Sequence, residues 1–194
     1  MQQIVQHSDD DLVRAFIAGE TAAMEALFDR YRKAVFGWLV RHTESRSEAE
    51  DLYQDVWLRV IRGVEAYTPG NFKAWLWRIV RNHAADNARR KRPALILDSP
   101  GEAVEDGDSL IDAIPDPDAV HVLDGLDVAE RRARLSAAVE RLSPPLKEVV
   151  LLRIQAELDF REIAELLNRP LGTVLARMHS AVARLKAIIA QEGD

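Results

Sequence analysis

Between Ala94 and Glu130 the sequence carries eleven acidic residues and no lysine or arginine. Pro100, Pro115 and Pro117, with Gly101, Gly107 and Gly125, punctuate the same stretch. This composition reads as a linker. A chain of 194 residues split in this way is expected to fold as two small bodies, residues 8–93 and 131–191, joined by residues 94–130. The charge is segregated too. The whole chain has a formal net charge of -6, but outside the segment all 26 basic residues face only 21 of the 32 acids. Two readings of the segment stand side by side: a solvated connector, or a strap that shields a basic surface.

Other global features narrow the class. No apolar run approaches the roughly 18 residues of a membrane span. The first residues lack the charged and apolar regions of a secretion signal. Cysteine is absent, which excludes disulfides and thiolate metal sites and suits a cytoplasmic protein. The five histidines, at positions 7, 42, 83, 121 and 179, have no metal-ligand spacing. No nucleophile–base pair, metal set or phosphate loop appears, so neither an enzyme nor a cofactor is expected.

Both bodies read as helical, which makes the fold class all-α. In the first, Ser8 with Asp11 resembles a capping box ahead of Leu12, Phe16 and Ile17. Gly19 is expected to stop that helix and Thr21 to cap the next. There Ala23, Leu27, Tyr31, Val35 and Leu39 recur every fourth residue. A third helix, "SEAEDLYQDVWLRVIRGV", is expected to be capped by Ser47 with Glu50. Its wheel puts Leu52, Tyr53, Val56, Trp57, Val60 and Ile61 on one side and Asp51, Gln54, Asp55 and Leu58 opposite. That opposite face is either an ordinary solvated surface or a docking surface for a partner with basic and apolar groups.

A break at "YTPGN" precedes "FKAWLWRIVRNHAADNARRKRP". Phe72, Leu76, Ile79 and Val80 form its apolar face, with Trp75 at the edge and His83 as a packed or capping histidine. Trp77 falls on the other side, beside Arg78, Arg81 and Ala85. From Thr68 to Pro93 seven basic residues, Arg89 and Arg90 among them, face one acid, Asp86. Cations track phosphates and aromatic rings stack on unpaired bases. The competing reading lays Trp77 against a neighbouring helix, with the arginines snorkelling outward.

In the second body Ser143 can cap a helix opening at Pro144 or Pro145. Asp159 with Glu162 can cap a short helix, Phe160 to Leu167. "NRPLG" then turns the chain, and Thr173 opens a longer helix. Ile163, Ala164, Leu167, Leu171 and Val174 fall where a helix-turn-helix buries its joint. A generic helical hairpin is the rival reading.

These segments, in this order, resemble one family: the extracytoplasmic-function sigma factors of the sigma-70 family. "AEDLYQDVWLRV" resembles its region 2.2, "FKAWLWRIVRNHAADNARRKR" its regions 2.3 and 2.4, and "LDFREIAELLNRPLGTVLARMHSAVARL" its region 4.2 helix-turn-helix. The resemblance implies a function: promoter recognition, strand melting and transcription initiation as a subunit of RNA polymerase. It implies that Asp51, Gln54, Asp55 and Leu58 dock on the beta-prime coiled coil of core polymerase, with the beta flap as a second contact. It implies a base-capturing loop at Ala66 to Asn71, including Tyr67. Trp75, Trp77, Arg78, Arg81, Asn82, Arg89 and Arg90 would line the -10 promoter strand. Arg169, Thr173, Leu175, Ala176, Arg177, His179, Ser180 and Arg184 would face the -35 element. An anti-sigma factor is an implied partner, and insertion in a membrane is not. One departure stands out. The helix after the turn carries Leu175, Ala176, Ser180 and Val182 where the family usually has lysine or arginine, so weaker or altered reading of the -35 element is expected. That departure motivates a second reading, a decoy in a partner-switching circuit that binds polymerase or an anti-sigma factor but no promoter.

Overall fold

The computed structural model describes residues 7–91 and 128–191. The acidic segment from Ala94 to Asp127 lies outside the described residues, and so does the choice between connector and strap. The chain divides into two compact units, Met1–Asp98 and Ser99–Asp194. Among the described residues all regular structure is helical.

The first unit holds α1 (Asp9–Ile17), α2 (Thr21–Arg41), α3 (Arg46–Gly63), a short 3-10 turn (Val64–Ala66) and α4 (Phe72–Lys91). Helix α1 packs on α2, α2 on α3 and α3 on α4, while α1 also touches α4 and the 3-10 turn. The four-residue period of α2 is the reason for its place at the centre: Ala23, Leu27, Tyr31, Val35 and Leu39 are all buried. Ser8 caps α1 by accepting the Asp11 N–H at 3.2 Å. Gly19, at φ 103°, ends it in a backbone region that side chains rarely adopt.

Two expected caps are corrected. Thr21 is the first residue of α2, whose N-cap is Glu20 without a side-chain hydrogen bond. Helix α3 is capped by Ser45, which accepts the Glu48 N–H at 3.2 Å, rather than by Ser47. Both serines precede a glutamate by three residues. Tertiary packing selects the earlier pair, because Glu48 is gripped from α4 by Lys91 at 2.7 Å and by Asn87. Those hydrogen bonds, the Lys91 one foremost, lower the Glu48 pKa.

The second unit holds α5 (Val128–Glu140), α6 (Pro144–Ile154), α7 (Phe160–Leu167) and α8 (Leu171–Gln191). Helix α5 starts three residues inside the acidic segment and carries a Glu130–Arg134 pair at 3.0 Å. Helix α8 is the spine against which α5, α6 and α7 all pack. Val149, Leu152, Leu158, Ile163, Val174 and Ala181 are fully enclosed, and Ala138 meets Ile188 and Ile189 at the far end. Ser143 is the N-cap of α6 by backbone geometry, with prolines in the first turn, although its hydroxyl makes no cap hydrogen bond.

The α7 cap is a complete box. Asp159 Oδ1 accepts the Glu162 N–H at 2.8 Å, and Glu162 Oε2 accepts the Asp159 N–H at 2.6 Å. Asn168, in the left-handed conformation at φ 50°, ends that helix. The turn is only Asn168 to Pro170. The Pro170 carbonyl already accepts the Val174 N–H, so α8 begins at Leu171, two residues before the expected Thr173. At the mouth of the turn Leu171 is 38% exposed rather than part of the joint, while Ile163, Ala164, Leu167 and Val174 are buried as expected.

Candidate polymerase and nucleic-acid surfaces

The outer face of α3 is built by its own period. Leu52, Val56, Trp57 and Val60 turn inward, which leaves Asp51, Gln54, Asp55 and Leu58 in solvent. Leu58 is 47% exposed, one turn along the helix from Asp55. Ile61, expected in the core, is 37% exposed and extends the apolar end of this face. The reason is position: Ile61 lies three residues beyond Leu58, on the same outward side of the helix.

Asp55 has a neighbour beneath it. His83 of α4 is buried, with Nε2 at 3.4 Å from Asp55 Oδ2. Burial lowers the His83 pKa from 6.5 and Arg59 lowers it further; Asp55 and Asp86 pull the other way without reversing the direction. The sign for stability follows. A depressed pKa means that the unfolded chain binds the proton more tightly, so the folded state loses stability as pH falls from about 6.5 towards the folded pKa. Wild type and His83→Gln should therefore diverge in unfolding midpoint between pH 7.5 and 5.5, the variant sloping less. Parallel pH profiles in urea unfolding would show that His83 does not titrate as described.

Helix α4 departs from expectation at its most conspicuous residue. Trp77 is 0% exposed and meets Trp38 of α2 edge-on, with centroids 5.4 Å apart. It offers no face to nucleic acid. Because α4 packs against α2 as well as α3, its buried arc is wide and takes in Phe72, Leu76, Trp77, Val80, His83 and Ala84. Tyr67 is corrected in the same sense: it is only 9% exposed, and its hydroxyl donates to Asp10 Oδ1 at 2.7 Å. Burial, reinforced by Asp10, pushes its pKa up to about 12.

The outward groups near the loop are Ala66, Thr68, Pro69, Gly70 and Asn71, followed along α4 by Arg78, Asn82, Arg89 and Arg90. Arg81 is half-buried. Arg89 pairs with Asp86 and Asn71 Oδ1 caps α4 through the Ala74 N–H at 2.9 Å, so neither is a bare surface group. Trp75 is the aromatic that keeps partial access. It is half-buried against Tyr67 at 5.1 Å and Phe72 at 5.6 Å. The link from Asp10 to Tyr67 was not expected. No local signal reports a contact across 57 residues.

In the second unit His179, Arg184 and Arg169 are exposed, Thr173, Leu175, Ala176, Arg177 and Ser180 are half-buried, and Ala183 and Ala187 fill the rest of the outer face of α8. The face is small and thinly charged. Among the described residues no cluster of histidine and carboxylate side chains could hold a metal ion, and no helix is long and apolar enough to cross a membrane.

Residues 27–93 match the family description "Sigma-70 region 2", and residues 132–185 match "Sigma-70, region 4". The chain belongs to the sigma-70 family, in its extracytoplasmic-function branch. It is 31% identical over 179 residues to the ECF RNA polymerase sigma factor SigE of Mycolicibacterium smegmatis, covering 91% of this chain and 66% of SigE. It is 28% identical to ECF RNA polymerase sigma factor SigK of Mycobacterium sp. strain KMS, covering 91% of this chain and 88% of SigK. Its fold is shared with the sigma factor RpoE solved with the anti-sigma factor NepR from Bartonella quintana, at TM-score 0.60 and 21% identity over 86% of this chain and 96% of that one.

Proposed function

We propose that this sigma factor docks on the beta-prime coiled coil of core polymerase through Asp51, Gln54, Asp55 and Leu58, and captures the -10 strand with the Ala66–Asn71 loop and the outer side of α4. The observation that carries the reading is the solvent-facing carboxylate–leucine surface of α3, set on the same unit as a loop rooted in an aromatic cluster and a cationic helix end. A partner with basic and apolar groups satisfies that surface.

The mechanism is binding energy, with no covalent step. Unstacking a base costs a few kcal/mol, and stacking returns roughly 1–3 kcal/mol per base. Trp75 is the aromatic placed to stack. Trp77 acts from beneath, by holding α4 on α2. Arg78, Asn82, Arg89 and Arg90 follow the phosphates, and Trp75 with Asn71 borders the captured base. In the second unit Arg169, His179 and Arg184 supply the polar contacts to the -35 element, next to the thinner readers Thr173, Leu175, Ala176, Arg177 and Ser180. The beta flap is the partner for the rest of that unit, and the place of work is the cytoplasm. An anti-sigma factor as inhibitor is supported by the RpoE fold, solved with one.

The test is multi-round transcription by purified core polymerase, with and without this protein, on a fragment library of its own genome. Protein-dependent transcripts with a shared upstream sequence are expected, and changes to the near element should cost more transcript than changes to the far one. Core binding without any transcript would instead establish the decoy, which the thin α8 face favours.

A further inference from the structure

The loop that follows α3 is tied at its root to the other end of the unit. Tyr67 sits edge-on to Phe72 at 5.9 Å and tilted on Trp75 at 5.1 Å, so its ring is fixed by the helix that the loop leads into. Its hydroxyl reaches Asp10, in the first turn of α1, at 2.7 Å. Gly70 and Asn71, through their backbone N–H groups, pull the Tyr67 pKa slightly back down, so the loop and the phenol act on each other. A carboxylate only accepts, so Asp10 determines where the phenol proton points. The loop from Thr68 to Asn71 thus starts at a side chain that a distant residue anchors, while Asn71 Oδ1 secures its far end on α4.

The neighbouring carboxylate does something else. Asp9 accepts from Tyr31 and pairs with Arg30, both on α2, so it fastens α1 to α2. Two adjacent aspartates therefore divide the work: one secures the helix pair, the other sets the loop.

We infer that Asp10 is a positioning residue for promoter specificity: by orienting the Tyr67 hydroxyl it sets the shape of the Thr68–Asn71 loop and hence the preference for the captured base. The inference rests on the loop's role as the base-capturing element. Asp10 touches no nucleic acid itself.

The test uses holoenzyme and a labelled single-stranded oligonucleotide carrying the near element recovered by the transcription experiment, with each of the four bases placed in turn at the captured position. The readout is the ratio of affinities for preferred and substituted bases. Asp10→Ala and Tyr67→Phe should each shrink that ratio about tenfold, the scale of one hydrogen bond to a charged group. Asp10→Asn keeps an acceptor and should retain most of the ratio. Asp9→Ala is the control for mere folding: it should lower the unfolding midpoint and leave the ratio unchanged. If wild type discriminates and Asp10→Ala and Tyr67→Phe discriminate equally well, the inference falls while the loop's role stands. If Asp9→Ala shrinks the ratio as much as Asp10→Ala, the effect is general loosening and the inference falls as well. If wild type shows no base preference at all, the loop's role falls and takes the inference with it.

Discussion

Trp77→Ala should cost the N-terminal unit about 3–5 kcal/mol, the usual range for emptying a buried aromatic site. That is a large part of the roughly 5–15 kcal/mol that holds a typical domain together. The indole is fully enclosed and stands edge-on to Trp38, so its removal opens a cavity between α2 and α4. Its N–H has no hydrogen-bond partner among the described residues. Trp77→Phe should therefore be much milder, because it keeps an aromatic ring against Trp38 and deletes an unpaired donor. Urea unfolding followed by circular dichroism reads both variants. An unchanged midpoint for Trp77→Ala, with loss of promoter-strand binding alone, would mean that the indole works at the surface.

Reversing the charge at the centre of the α3 face should have the largest effect on assembly. Asp55→Arg is expected to weaken binding to core polymerase by about a hundredfold or more, because like charges brought together at an interface cost several kcal/mol. Asp55 borders His83, so Asp51→Arg is the companion variant that leaves the α4 contact intact. Asp51 is exposed, and its substitution should move the unfolding midpoint by no more than about 0.5 kcal/mol. Fluorescently labelled protein titrated with core polymerase at low and high salt measures both. Full affinity in the two variants would place the docking surface elsewhere than on α3.

Much of this architecture is legible along the chain because it is made of short-range rules. The α7 cap closes between Asp159 and Glu162, three residues apart, and the residues themselves announce it. The buried ladder of α2 and the solvent face of α3 follow from a period of 3.6 residues and need no partner to be read. The thin charge on α8 is equally plain, and the structure leaves its outer face as sparse as the composition implies.

Other features were decided only when helices met. Ser45 and Ser47 offer the same capping pattern, and Lys91 and Asn87 reaching across from α4 select between them. A wheel drawn for α4 assumes one buried side, whereas α2 and α3 both lean on it, and the wider arc swallows Trp77. Asp10 and Tyr67 lie too far apart for any local pattern to join them. By itself the sequence determined helix content, the Ser8 and Asp159 caps, the segregation of charge and the family. Tertiary structure alone decided which tryptophan keeps partial access and which is core, and that Tyr67 is held by Asp10. Periodicity and short hydrogen bonds act within a turn or two of chain, whereas burial depends on what arrives from elsewhere.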